Sequence, residues 1–130
     1  MESGDFASSI RKGVPLFFVP DVRATVEWYR SAGFTVRNFY EDGDDMVFAE
    51  LALGGAEFAL SPGGVKPASR QVNFWFFTDR VRDLYQLFKD RPEMRFAEDL
   101  YTPFYGGLQF SIQDNNGLEL VFWDPQGEKP

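Results

Sequence analysis

The side chains of this chain with the most chemical capacity are carboxylates and aromatic rings. Among its 130 residues there is no His and no Cys. That removes imidazole bases, thiolate nucleophiles, disulfides and the commonest metal ligand in one step. What remains is Glu50, Glu57 and Glu119, carboxylates on segments that read as strands, and Trp75, Phe77 and Trp123 on apolar runs. Three converging carboxylates can hold Mg or Mn through oxygen alone. A single Glu50 or Glu119, buried enough for its pKa to rise toward neutrality, can abstract a proton. Indole and phenyl rings offer flat faces to planar ligands and to cations.

Strands and two helices must position these groups. Residues 14–19, VPLFFV, form a short apolar run stopped by Pro20, the pattern of a strand buried on both faces. Asp21 can cap a helix with apolar positions Val22, Val26 and Tyr29, and Gly33 ends it. Strands are expected at 34–40, 46–53 and 57–61, separated by the acidic turn EDGDD and the Gly54-Gly55 hairpin signal. The stretch SPGGVKPASR then interrupts as a linker.

After it the plan restarts. VNFWFF meets Thr78-Asp79, and a helix follows with Val81, Leu84, Tyr85 and Phe88 on one face. Residues 100–105 read as a short strand or a loop, and 108–113 and 118–123 as two strands joined by the turn Asp114-Asn115-Asn116-Gly117. The halves superpose at an offset of about 58 or 59 residues, so one βαβββ module is used twice. The expected organisation is an arm or edge strand at 1–13 and one domain at 14–124. That domain holds modules at about 14–61 and 72–124 with a linker at 62–71, and a tail follows at 125–130.

Strand parity sorts the side chains, because successive residues point to opposite faces. Leu118, Leu120 and Phe122 are expected toward the helices, as are Leu51 and Leu53. That leaves Leu16, Phe18, Phe48, Glu50, Asn73, Trp75, Phe77, Gln109, Ser111, Glu119 and Trp123 on the other side. An aromatic surface with sparse polar groups is the usual composition of a small-molecule site. The same rings could equally be space-filling core. The segment Tyr101-Thr102-Pro103-Phe104-Tyr105-Gly106-Gly107 reads as a lip over a pocket, a dimer contact or an ordinary turn.

Composition sets outer limits. Aromatic residues make up 18% of the chain, an unusual share that fits several packing layers or a pocket lining. The net charge of −7 opposes binding to nucleic acid or to anionic lipid, and is read either as a solubility device or as an attraction for a cationic small molecule. No run reaches the length of a membrane span, and residues 1–11 lack the basic and apolar regions of a signal peptide. With Cys absent, the expected location is the cytoplasm.

In VPLFFVPDVRATVEWYRSAGF a strand leads to Asp, a helix ending in Trp28-Tyr29, and Gly-Phe. In FYGGLQFSIQDNNGLELVFWD, Gly, Phe and an Asp-x-x-Gly turn form a final hairpin. Together these segments resemble the vicinal-oxygen-chelate superfamily of glyoxalases, bleomycin resistance proteins and dioxygenases, over about residues 14–124. The chain is most similar to the bleomycin-resistance-like branch. The resemblance implies an α+β fold in which two βαβββ modules form a curved mixed sheet around a cavity with the helices outside, and it implies a homodimer.

In metal-dependent members of the superfamily, a divalent ion rests on His, Glu or Gln from both modules. The matching positions here are Val14, Val72 or Asn73, Ala59 and Val121, and none carries a strong ligand. The expectation is therefore no metal cofactor, and a protein that binds a small aromatic or cationic organic molecule, an antibiotic being one example. Phe18, Phe48, Glu50, Asn73, Trp75, Phe77, Gln109, Glu119 and Trp123 are the contacts, with Glu50 and Glu119 supplying charge. The alternative is a lyase, isomerase or dioxygenase with a displaced metal site on Glu50, Glu57 and Glu119. Of the two, binding without chemistry fits the residues better.

Overall fold

The structure is a computed structural model and describes residues 7–63 and 73–128. Residues 1–6 of the arm, most of the linker together with Val72, and the last two residues of the tail lie outside that range.

The first module runs β1 (Leu16–Val19), α1 (Val22–Ser31), β2 (Thr35–Asp42), β3 (Asp45–Leu53) and β4 (Ala56–Pro62). The second runs β5 (Asn73–Phe77), α2 (Val81–Lys89), β6 (Arg95–Tyr101), β7 (Leu108–Gln113) and β8 (Glu119–Asp124). Each module makes a four-stranded mixed sheet, in the orders β1-β4-β3-β2 and β5-β8-β7-β6. In each, the first strand pairs parallel with the last and the other pairs are antiparallel. The architecture is the α+β arrangement of two βαβββ modules, with no closed barrel. Among the described residues no helix is long and apolar enough to cross a membrane.

Local chemistry explains the helices. The Asp21 side chain accepts a hydrogen bond from the Ala24 N–H at 3.0 Å, satisfying one of the free amides of the first turn of α1. Gly33 follows the helix at φ +101°, a conformation that favours glycine. Val22, Thr25, Val26 and Tyr29 form its buried stripe. At the start of α2 the residue before the helix makes no side-chain cap, and the Thr78 hydroxyl instead accepts from the Arg80 N–H at 3.0 Å.

Most of the aromatic content fills the core. A chain of ring contacts crosses from one module to the other: Tyr29 to Phe58 at 4.9 Å, Phe58 to Phe74 at 5.2 Å, Phe34 to Phe76 at 5.8 Å and Phe76 to Phe122 at 4.7 Å. Leu118, Leu120 and Phe122 are buried in this cluster, as parity required.

A buried polar latch joins the modules where the β7–β8 turn meets α1. The Tyr29 hydroxyl donates to Asp114 Oδ2 at 2.7 Å, and Asp114 Oδ1 accepts from the backbone of Asn116 at 2.8 Å and of Leu118 at 2.9 Å. Asn116 Nδ2 donates to Thr25 Oγ1 at 2.9 Å. Burial holds the Tyr29 phenol well above its usual range, with the Asp114 charge adding to it. Burial also raises the Asp114 carboxyl, against the opposing pull of its hydrogen bonds.

The structure corrects one element. The segment 100–105, read as a short strand or a loop, contributes only its first two residues to β6, which begins at Arg95; Thr102 to Gly107 is loop. The strand pairs with β7 through two register shifts, between Phe96 and Glu98 and between Glu98 and Tyr101. Such bulges break the period-2 alternation by which strands are recognised.

Candidate functional site

On each sheet one face packs on the core and the other is open. Across the open face of the second sheet, strand register places side chains in three rows. The first holds Asn73, Glu119, Gln113 and Arg95; the second Trp75, Val121, Ser111 and Glu98; the third Phe77, Trp123, Gln109 and Tyr101. The loop after β6 returns Tyr105 over the third row.

The rings there form one cluster. Trp123 lies at the centre, with ring centroids 5.9 Å from Trp75, 5.2 Å from Phe77 and 5.6 Å from Tyr105. Trp75 and Tyr105 are 6.0 Å apart, and Phe104 packs edge-on against Tyr105 at 5.0 Å. These are the tilted and T-shaped geometries that aromatic pairs prefer. Phe77 stays 70% exposed, Trp75 38% and Phe104 fully exposed, so the cluster faces solvent within this chain.

Gly107 makes the cluster possible. Its φ is +78°, and a Cβ there would stand 2.5 Å from the Trp123 ring nitrogen and from the Asp124 carbonyl oxygen. The Trp123 N–H is held by the Gly106 carbonyl at 3.0 Å.

A hydrogen-bonded chain runs beside the rings. Tyr105 donates to Gln109 Oε1 at 2.5 Å, Gln109 Nε2 donates to the Tyr101 oxygen at 2.9 Å, and Tyr101 donates to Glu98 Oε1 at 3.4 Å. Burial, then the Glu98 charge, raises the Tyr101 phenol above its usual range. Ser111, in the middle row, is fully buried, and its hydroxyl has no hydrogen-bond partner among the described residues.

The site residues named from sequence divide between the sheets. Asn73, Trp75, Phe77, Gln109, Glu119 and Trp123 share the open face of the second sheet, while Phe18, Phe48 and Glu50 stand on the first. Among the described residues no ring contact joins Phe18 or Phe48 to the Trp123 cluster; Phe48 pairs with Tyr40 at 5.7 Å. A cleft of about 650 Å³ runs along β5, between Trp75 and Phe77 on one side and Gly54 and Glu57 of the β3–β4 hairpin on the other. Glu98 was missed by sequence reading, because the bulges in β6 hide its facing. Tyr101 and Tyr105 were visible only as aromatics beside Gly106-Gly107.

Within one chain the three carboxylates of the displaced metal site do not come together. Glu57 is tied to Lys12 at 3.1 Å and lies 3.6 Å from Arg37, Glu50 sits beside Ala59 on the first sheet, and Glu119 belongs to the second. Among the described residues no three His, Cys, Asp or Glu side chains converge. At the family's ligand positions, Val14, Ala59 and Val121 have no donor atom and Asn73 offers only an amide beside Glu119. The donor set does not fit a divalent ion.

Solved structures with this fold are numerous. A glyoxalase-related enzyme from Clostridium phytofermentans is 20% identical with a TM-score of 0.73, covering 89% of this chain and 95% of its own. TioX from Micromonospora sp. ML1 is 16% identical with a TM-score of 0.67, over 88% and 99% of the two chains. A bleomycin-binding protein solved in complex with bleomycin is also 16% identical with a TM-score of 0.67, over 88% and 98%. At these identities the likeness is one of fold. No curated protein matches the sequence. The family profile matches residues 13–122, nearly the whole described chain, and the protein belongs to the Glyoxalase/Bleomycin resistance protein/Dioxygenase superfamily.

Proposed function

We propose that this chain binds a small aromatic or cationic organic molecule on the open face of its second sheet, without a metal ion and without altering it. The observation that carries the reading is the solvent-facing cluster of Trp75, Phe77, Tyr105 and Trp123 beside a polar chain that ends in a carboxylate. Rings needed only for packing are buried, as Phe58, Phe110 and Phe122 are. Flat rings left open to solvent are the means by which a site grips a planar ligand. That a bleomycin-binding protein shares the fold makes an antibiotic one candidate of this chemistry.

The chain is read further as a cytoplasmic homodimer. Leu16 and Phe18 are exposed on the edge strand β1, surface that a second copy would cover.

Thermal unfolding across a library of planar organic compounds and divalent metals tests the reading. A compound at a hundred times its dissociation constant adds about 2.7 kcal/mol to the folded state. The expected result is stabilisation by planar compounds, with ligand recovered unchanged and no requirement for metal. Stabilisation by metals alone, or recovery of a modified compound, would overturn it.

A further inference from the structure

We propose that Glu98 and the Tyr101–Gln109–Tyr105 chain make the aromatic face selective for a ligand that brings an N–H donor on a cationic group, a protonated aromatic amine. This rests on the reading of the second sheet's open face as the binding face, and it names the chemical class that the face takes.

The polarity of the chain follows from its end. An ionised carboxylate only accepts, so Tyr101 spends its proton on Glu98. The Tyr101 oxygen must then accept, which turns the Gln109 NH2 toward it and the Gln109 carbonyl toward Tyr105. Tyr105 therefore spends its own proton inward, which leaves its oxygen with lone pairs alone, on a ring 6.0 Å from Trp75 and 5.6 Å from Trp123.

Around Trp123 and Tyr105 the other side-chain donors are committed or buried. The Trp123 N–H is held by Gly106, and Gln109 and Ser111 are buried. The amides of Asn73 and Gln113 and the guanidinium of Arg95 stand in the first row, with the Trp75 row between them and the Trp123 row. Around Trp123 and Tyr105 the protein thus offers π faces and the Tyr105 oxygen, with the Glu98 carboxylate at the far end of the hydrogen-bond chain. All three are electron-rich, and each is satisfied by a positively charged N–H group.

Calorimetric titration at neutral pH with three planar probes of one shape separates the terms. 9-Aminoacridine is a cation with N–H donors, N-methylacridinium is a cation without them, and acridine is a neutral ring whose nitrogen accepts. The expected order is 9-aminoacridine at least tenfold tighter than N-methylacridinium, with acridine weakest. Glu98→Lys replaces the terminal acceptor with a donor and reverses the chain, which frees the Tyr105 proton. It should weaken 9-aminoacridine at least tenfold and strengthen acridine. Tyr105→Phe removes the outward acceptor and should bring 9-aminoacridine down to the level of N-methylacridinium.

If the three probes bind within twofold of one another and Trp75→Ala weakens all of them, the binding face stands and its selectivity for donors falls. An unchanged order in Glu98→Lys also overturns the selectivity. Absence of binding by every probe overturns both readings.

Discussion

The two sheets share a topology and a pairing plan, and their open faces have diverged. On the first, the row through β1, β4, β3 and β2 reads Leu16, Ala59, Glu50 and Asn38, and the hairpin end carries Glu57 and Ala52 with Lys12 and Arg37 closing on Glu57. On the second, two indoles, Phe77 and Tyr105 gather around a directed hydrogen-bond chain. At the middle of the faces, Ala59 and Glu50 of the first correspond to Val121 and Ser111 of the second, and Leu16 at the edge corresponds to Trp75. The first face also carries rings, Phe18, Phe48 and Tyr40, with the last two 5.7 Å apart, but the cluster about Trp123 and its hydrogen-bond chain stand on the second. A module can keep its core face, which packs the same way in both halves, while its open face is free to change.

Substitutions can break that comparison, and the largest effect is expected at Gly107. Gly107→Ala forces a side chain into a left-handed position against Trp123, at about 1–3 kcal/mol for the backbone alone. It should lower the melting temperature and abolish binding of 9-aminoacridine. Gly55→Ala in the first module, where a Cβ meets nothing within 4 Å, should leave both unchanged. Next, Trp75→Ala removes one stacking ring, for which about 1–3 kcal/mol is typical, so binding should weaken roughly ten- to hundredfold. Phe48→Ala on the other face should move affinity less than twofold, with calorimetry as the readout for both.

The latch between the modules gives smaller changes, in stability rather than affinity. Tyr29→Phe takes one donor from the buried Asp114 and should cost about 1–2 kcal/mol in denaturant unfolding. It should also change the alkaline limb. The folded Tyr29 pKa lies above its unfolded value near 10.0, so its contribution is full below that pH and is lost as pH rises toward the folded pKa. The parent should lose stability above about pH 10 more steeply than Tyr29→Phe. Asn116→Ala, which removes a donor from Thr25 Oγ1 and from Asn115 Oδ1 while Thr25 keeps its bond to the Asp21 carbonyl, should cost about 0.5–1.5 kcal/mol.

Much of the fold was legible in the sequence, for physical reasons that also explain the gaps. Asp21 before Val22, Val26 and Tyr29 marked α1, and the alternation in 118–123 sorted Leu120 and Phe122 from Val121 and Trp123, because cap chemistry and parity are local. β6 was hidden because its bulges at Glu98 break the alternation, and Glu98 was lost from the site with it. Trp75, Phe77, Gln109 and Trp123 could be placed on one face from parity alone. Phe18, Phe48 and Glu50 could not be separated from them, since parity says which side of a sheet a residue takes and nothing of how two sheets are set. The carboxylates singled out for charge were Glu50 and Glu119, whereas the one in the hydrogen-bond chain is Glu98.

The central claim is that ligand binding belongs to the second sheet alone. Amide and indole chemical-shift mapping by NMR during titration with 9-aminoacridine tests it directly. The account predicts shifts concentrated at Trp75, Phe77, Tyr101, Tyr105, Gln109 and Trp123, with both indole N–H signals moving. Shifts centred on Phe18, Phe48 and Glu50, or spread evenly over both sheets, would contradict it.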